Sequence, residues 1–238
     1  MTVVLMLGSA PMALQAAAWK RAAFDSLLAI NNAHAVRPDW DYHIYPWDYP
    51  EERRPVAQAG QRTILQEDFV PAQNAYGGFV YAGGTMAFTA AYWALHALRP
   101  QVIAAFGCDM HYGSGQTHFY GKGSADPLRD DITLQSLEAK SARLMVLAAM
   151  QGCAMVNLSA GPSRQVFPRV TLAHLRAARP PAYDAEIAGR ALRREAELGY
   201  FVASGRYWEE AARFDPAALR ELDALWLAAA QEPLAAIA

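Results

Sequence analysis

This sequence has few cysteines, a net charge close to zero and no long apolar run. Its 238 residues include only two cysteines, Cys108 and Cys153, too few for the disulfide framework that is typical of small secreted domains. No uncharged apolar run reaches the roughly 18 residues that a bilayer-spanning helix needs. The apolar start of the chain lacks a basic region, so a secretion signal is not predicted either. These absences favour a cytoplasmic protein without a transmembrane segment.

Charge of either sign is nearly balanced. The sequence has 21 lysines and arginines against 23 aspartates and glutamates, a net charge of −2. Such a chain has no overall field to attract nucleic acid, so nucleic acid is not predicted as a partner. The sequence also lacks the three-glycine dinucleotide fingerprint and a phosphate-binding loop that ends in Gly-Lys-Ser/Thr.

What the sequence does contain is a succession of short apolar runs and longer helical stretches. Hydrophobic residues make up 53% of the chain, enough for a sizeable core. Strands are predicted over residues 3–7, 27–30, 42–45, 102–106 and 153–158, and helices over 12–24, 85–98 and 131–151, the last one capped by Asp130 or Asp131. Strands that alternate with helices indicate parallel βαβ units. The expected fold is α/β, a Rossmann-like, mostly parallel sheet with helices on both faces.

The chain changes character after an Arg-Pro-Pro run that ends at residue 181. We expect a Rossmann-like domain over residues 1–179 and a small helical appendage over residues 180–238. Asp215 and Pro216 are typical of the N-cap and the first residue of a helix. Part of the appendage resembles one tetratricopeptide hairpin, which cannot bury its apolar face alone. The hairpin is therefore expected to dock on the α/β domain or on a partner subunit, which makes the C-terminal helices candidates for homo-oligomer contacts.

Polar residues gather where the predicted strands end. In an open parallel sheet, ligands bind beyond the carboxyl ends of the strands. The segments concerned contain Gly8, Ser9 and Pro11, then Asn31 and Asn32, then Asp48, then residues 107–109, and finally Ser159, Gly161 and Ser163, while Gly84 and Thr85 form a glycine turn before a helix. A glycine turn before a helix suits an anion, and paired asparagines suit a base or ribose, although both patterns also make simple turns. We expect these segments to meet in one cleft.

The polar segment over residues 107–130 carries most of the side chains suited to proton transfer. Connections of this length are usually functional. The segment contains Asp109, His111, Tyr112, His118, Tyr120 and Lys122. A carboxylate and an imidazole can act as acid, base or metal ligand. No matching pair of histidines or cysteines occurs elsewhere at ligand spacing, so a metal site is not predicted.

The order of these motifs resembles the bacterial sialyltransferase-like family. The likeness covers Val3 to Ser163: a first strand ending in Gly-Ser-Ala-Pro, a second ending in Asn, a Gly-Thr turn before an Ala-rich helix, and a strand that runs into Gly-x-Asp-x-x-Tyr. The resemblance implies a Rossmann-like domain of the GT-A type that binds a CMP-sugar without needing a metal.

The resemblance also assigns roles to individual residues. Those implied at the nucleotide sugar are Gly8, Ser9, Pro11, Asn31 or Asn32, Gly84, Thr85, Asp109, Tyr112, Ser159, Gly161 and Ser163. Two positions depart from the family pattern, because Ser9 stands where the family has Asn and Lys122 stands where we align the general-base histidine. His118 or His111 would then supply the base. Lys122 or Tyr120 would stabilise charge on the departing phosphate.

The resulting hypothesis is a glycosyltransferase that moves a sugar from a nucleotide donor, most simply a CMP-sugar, to the hydroxyl of a sugar or glycan acceptor, with no further cofactor. Residues 31–48 are also similar to pterin diphosphokinase-like and motility-accessory proteins. Under that alternative, Asp48 and Asp109 hold Mg²⁺ that bridges phosphates. A third hypothesis is a non-catalytic nucleotide-binding or scaffold protein.

Overall fold

A computed structural model of the chain describes residues 1–112, 115–122 and 129–231. Its centre is one sheet of six parallel strands, in the order β4-β3-β2-β1-β5-β6. The strands are β1 (Val3–Leu7), β2 (Ser26–Ile30), β3 (Tyr42–Ile44), β4 (Arg62–Ile64), β5 (Val102–Phe106) and β6 (Ala154–Asn157). Within this part of the chain, no helix is long and apolar enough to cross a membrane.

The predicted Rossmann-like α/β fold is confirmed, and five of the strands lie where the apolar runs predict them. The edge strand β4 is the exception, because it lies in a polar segment for which the sequence predicts no strand. Strand β4 has three residues, and the first of them, Arg62, is exposed. A short, charged edge strand is protected against pairing with other chains, but it leaves little hydrophobic signal in the sequence.

The strand order reverses between β1 and β5. Leu5 of β1 lies beside Leu27 of β2 on one side and beside Ala104 of β5 on the other. From β1 the chain proceeds outward through β2, β3 and β4, then returns to place β5 and β6 on the opposite edge. The carboxyl ends of β1 and β5 thus define the topological switch point, where open α/β sheets bind ligands.

One face of the sheet is covered by α-helices. They are α1 (Gln66–Asn74), α2 (Phe79–Ala82), α3 (Met86–Ala97), α4 (Leu137–Met150), α5 (Ala185–Leu198) and α6 (Pro216–Ala229). Thr85 caps α3, since its side chain accepts a hydrogen bond from the Phe88 amide. A continuous core on this face joins β-strand residues such as Val4 and Ile103 to Trp226 of α6.

The other face is covered by short 3-10 helices and extended chain, where the sequence predicts an α-helix over residues 12–24. That prediction is wrong, because the segment forms two 3-10 helices, Pro11–Ala18 and Arg21–Ala23. The buried Arg37 gives the physical reason. Its guanidinium donates to the carbonyls of Ala16 (2.9 Å) and Trp19 (2.8 Å), so these carbonyls are satisfied without a longer helix.

The predicted start of the helix over residues 131–151 also needs correction. Asp131 caps a separate 3-10 turn, Ile132–Leu134, through a 2.8 Å hydrogen bond from the Thr133 amide. The α-helix begins later, because the Ser136 hydroxyl accepts from the Ala139 amide and caps α4. Two capping residues, five positions apart, thus divide the predicted single helix into two elements.

The C-terminal helices pack on the α/β domain. Asp215 caps α6 and Pro216 is its first residue, as predicted. Leu219, Leu222 and Trp226 of α6 are buried in the core that α3 and α4 share. The apolar side of this helix is thereby covered within a single chain.

Candidate functional site

A cleft of about 150 Å³ lies at the switch point, beyond the carboxyl ends of β1 and β5. Of the residues that the sequence analysis selects, it brings together Gly8, Ser9, Asn31, Thr85, Asp109, His111, Tyr112, His118 and Tyr120. These side chains come from four separate segments of the chain. Their convergence follows from the parallel sheet, which places the carboxyl ends of its strands at one edge.

Gly8 allows the ends of β1 and β5 to approach closely. A Cβ at this position would lie 2.3 Å from the Gly107 carbonyl oxygen and 2.7 Å from Cys108 Sγ. The Gly8 amide donates to the Phe106 carbonyl (2.8 Å), and the Ala10 amide donates to the Gly107 carbonyl (3.0 Å). Two amides of this turn are thus already engaged, which reduces the number that it can offer to an anion.

Asn31 has a left-handed backbone, with φ of 51°. Its carbonyl accepts a 2.7 Å hydrogen bond from His43 Nε2, and its Oδ1 is buried without a partner in the described part of the chain. Asn32 points elsewhere, because its Oδ1 accepts from the Tyr49 hydroxyl (2.8 Å). Of the two asparagines, Asn31 is therefore the one that faces the cleft.

His43 is a residue of the site region that the sequence analysis treats as merely structural. It is fully buried in β3, with the ring of Tyr45 4.8 Å away, and burial lowers its pKa to about 4. The imidazole is therefore neutral at pH 7. A signal was present in the sequence, because β3 is a short inner strand with a neighbour on each side, and a histidine buried within it needs a polar partner.

Asp109 forms the buried floor of the cleft, with only 5% of its surface exposed. Its Oδ1 accepts a 3.1 Å hydrogen bond from Asn157 Nδ2, while its Oδ2 is buried and has no partner among the residues described. Asn157 Nδ2 also lies 3.1 Å from Ser163 Oγ, and the Ser159 amide donates to Asn157 Oδ1 (2.8 Å). Asn157 was missed by sequence reasoning, although a polar residue at the end of an apolar strand is a usable signal.

His118 is held over the cleft by a tight turn. The His118 amide donates to the Gly121 carbonyl, the Gly121 amide donates back (both 3.0 Å), and the Phe119 amide donates to the Ser9 carbonyl (2.9 Å). The imidazole stacks on Tyr120 at 5.0 Å, and its Nδ1 lies 2.9 Å from Thr117 Oγ1. The turn thus ties the imidazole of His118 to the end of β1.

Other selected residues lie outside the cleft. They are Pro11, Asn32, Gly84, Lys122, Ser159, Gly161 and Ser163, together with Asp48 of the magnesium alternative. Lys122 and Asp48 are exposed to solvent. Both serine side chains form hydrogen bonds within the protein. Ser159 Oγ accepts from the Gly107 amide (3.4 Å), and Ser163 contacts Asn157. The loop over residues 159–163 therefore contacts Asn157, which in turn donates a hydrogen bond to Asp109.

Burial limits the reactivity of the cysteine in the cleft. Cys108 lines the cleft but is buried, and loss of hydration raises the pKa of its thiol far above its usual range. It is a thiol and not a thiolate at neutral pH, so it is a poor nucleophile. Among the described residues, no group of three or more histidine, cysteine, aspartate or glutamate side chains could hold a metal ion.

Comparison with known proteins identifies no relative: no family model, no curated protein and no solved structure matches the chain.

Proposed function

We propose that the protein is a nucleotide-sugar-dependent glycosyltransferase that uses the switch-point cleft for its donor, with a CMP-sugar as the first candidate. The observation that carries this proposal is the convergence of an asparagine, a buried carboxylate and a supported histidine, namely Asn31, Asp109 and His118, at one cleft. The fold alone would not favour this chemistry over another, because function resides in the site.

Asn31 and Asp109 would bind the nucleotide. Each has one buried oxygen that lacks a protein partner in the described structure, and such atoms in a native protein call for a ligand or water. An asparagine oxygen can accept from the amino group of a cytosine, and a carboxylate can accept from ribose hydroxyls. The left-handed backbone of Asn31, held by His43, keeps its side chain at the cleft.

His118 would act as the general base, with His111 as the alternative. In the proposed step, the acceptor hydroxyl forms a bond to the anomeric carbon of the donor sugar while the bond from that carbon to the phosphate oxygen breaks. The hydroxyl proton passes to the imidazole, and the nucleotide leaves with the electron pair. Tyr120, which stacks on His118, would donate a hydrogen bond to the departing phosphate.

We further propose that this reaction takes place in the cytoplasm. Both cysteines are unpaired and buried, which is the usual state of thiols in a reducing compartment.

The proposal is tested by a thermal-shift panel of CMP, CDP, UDP, GDP, ATP and AMP, each with and without Mg²⁺. A ligand at about 100 times its dissociation constant stabilises the folded state by roughly 2.7 kcal/mol. We expect CMP to raise the melting temperature without Mg²⁺. Stabilisation by ATP or AMP only with Mg²⁺ would support the diphosphokinase alternative instead, and no response to any nucleotide would support a scaffold.

A matched pair of histidine variants then tests the catalytic assignment. His118→Ala should lower turnover of a CMP-sugar by about 10²- to 10⁴-fold and leave CMP binding almost unchanged. His174→Ala removes an exposed imidazole that bonds only to Thr171 among the described residues, and it should change neither quantity. Full turnover in both His118→Ala and His111→Ala would show that neither histidine is the base.

A further inference from the structure

A second and larger groove, of about 960 Å³, lies beside the switch-point cleft. Met86 lines both, while its neighbours Gly84 and Thr85 face the groove and the cleft respectively. The N-terminus of α3 therefore forms the boundary between the two. A ligand in the groove would have one end close to the residues proposed to bind the donor.

Two exposed tryptophans distinguish this groove from the rest of the surface. Trp47 follows β3 and is 70% exposed, and Trp208 lies in the 3-10 helix Tyr207–Arg213 and is 56% exposed. Three other tryptophans, Trp40, Trp93 and Trp226, are buried in the core. Large aromatic side chains that remain exposed along a groove are typical of a binding surface.

The polar groups of the groove suit an uncharged ligand. Arg206 pairs with Glu209 (3.5 Å), and Arg129 pairs with Asp131 (3.0 Å). Each of these two cations has a carboxylate partner, and Glu67 adds a further negative charge to the lining. The described lining residues of the groove therefore carry no surplus positive charge that would attract a phosphate or an acidic segment.

The wall that carries Trp208 is connected to the boundary of the cleft. The Tyr207 hydroxyl donates to Asp131 Oδ2 (2.6 Å), and Arg129 donates both to the Tyr207 hydroxyl (3.2 Å) and to the Gly84 carbonyl (3.0 Å). These contacts hold the C-terminal segment in place beside α3. The groove is thus a built feature of the fold, with one wall fixed by hydrogen bonds that are half-buried or exposed.

We propose that this groove is the acceptor subsite and that it binds a neutral oligosaccharide across Trp47 and Trp208. A sugar ring has flat C–H faces that pack on an aromatic ring, and hydroxyl edges that hydrogen-bond to carboxylates and guanidinium groups such as those of Glu67 and Arg206. Typical ligand pockets measure about 300–1,000 Å³, so the groove has room for several linked sugar rings, whereas the cleft of about 150 Å³ would enclose only part of the donor. The inference rests on the proposed glycosyl transfer, and it adds where the acceptor lies and which charge class it belongs to.

The test is a titration of the full chain with lactose, maltotriose and chitotriose. Tryptophan fluorescence is the readout, and no nucleotide is present. We expect at least one of these saccharides to change the emission in a saturable way. Trp208→Ala and Trp47→Ala should each weaken that binding about tenfold, because each removes one of the two aromatic faces on which the sugar rings pack. Trp208→Phe should retain part of the affinity.

A matched control is Phe201→Ala, which removes another exposed aromatic side chain, 44% exposed, that lies outside the groove. It should leave saccharide binding unchanged. The inference is overturned if none of the three saccharides binds, if the Phe201 and Trp208 variants weaken binding equally, or if a proline-rich peptide binds the groove where the saccharides do not. Since no nucleotide is present, saccharide binding without any CMP response would contradict the donor assignment and leave the groove assignment standing.

Discussion

The buried ion pair of Arg143 with Glu195 is predicted to be important for stability. Arg143 is 1% exposed and its guanidinium makes four hydrogen bonds. Two go to the Glu195 carboxylate (2.7 Å each), one to the Tyr92 hydroxyl (2.7 Å) and one to the Tyr76 carbonyl (2.5 Å). Glu195 also accepts from the Trp226 indole (2.8 Å), so this cluster joins α3, α4, α5 and α6.

The expected cost follows from what each substitution leaves behind. Arg143→Met leaves the buried Glu195 carboxylate without its cation, and breaking a buried pair in this way lowers the free energy of unfolding by about 3–5 kcal/mol. The double variant Arg143→Met with Glu195→Leu removes both charges, and apolar replacements of buried pairs are often neutral. It should therefore regain part of the loss, since the Trp226 indole and the Tyr92 hydroxyl then lack the partners they have in the wild type. Arg194→Met breaks an exposed pair with Glu197 and should cost about 0.5 kcal/mol or less.

Urea denaturation, monitored by circular dichroism, measures the free energy of unfolding of the wild type and of the three variants. The reasoning is refuted if Arg143→Met costs less than about 1 kcal/mol, the range of an exposed pair. It is also refuted if the double variant is as unstable as the single one, since the loss would then come from packing and not from an unpaired charge.

Two further predictions concern the cleft and its support. Gly8→Ala should lower the free energy of unfolding by about 1–3 kcal/mol, because the added Cβ meets the Gly107 carbonyl at 2.3 Å. Gly189→Ala, in α5 with its nearest neighbour at 3.5 Å, should raise it by about 0.5–1 kcal/mol. Burial lowers the pKa of His43 from 6.5 to about 4, so the contribution of this residue to stability should be constant above pH 6.5 and fall by about 3 kcal/mol as the pH drops from 6.5 to 4.

Urea denaturation checks these predictions as well. Equal effects of the two alanine substitutions would contradict the close approach at Gly8. For the histidine, His43→Gln keeps a donor for the Asn31 carbonyl but cannot titrate, so its stability should fall less steeply below pH 6.5 than that of the wild type. The same pH dependence in both proteins would show that His43 is not the titrating group.

The strands of the sheet could be predicted because parallel strands buried on both faces leave continuous apolar runs, such as Val3–Leu7 and Val102–Phe106. Edge strand β4 could not, since its three residues include an exposed arginine. The segment after β1 is rich in alanine, and its helical propensity is overridden by the distant Arg37, which bonds to its carbonyls. Local sequence contains no signal of such a tertiary contact.

The same contrast holds for the candidate site. Asn31, Asp109 and His118 could be placed near one cleft, because the carboxyl ends of parallel strands meet at one edge. The inward orientation of Ser163, toward Asn157, depends on how its loop folds back on β6. The groove could not be predicted, because Trp47 and Trp208 come from segments that only the packing of the C-terminal helices brings together.

The reversal of strand order between β1 and β5 also has a consequence during synthesis. As the chain leaves the ribosome, β1 gains its first neighbour when β2 emerges, but its other edge has no partner until residues 102–106 are made. At about 5–20 residues per second, that interval lasts roughly 4–15 s. For this time the nascent chain exposes an apolar strand edge, which is a hazard for aggregation. Arrival of β5 covers that edge and brings the two halves of the cleft together in the same event.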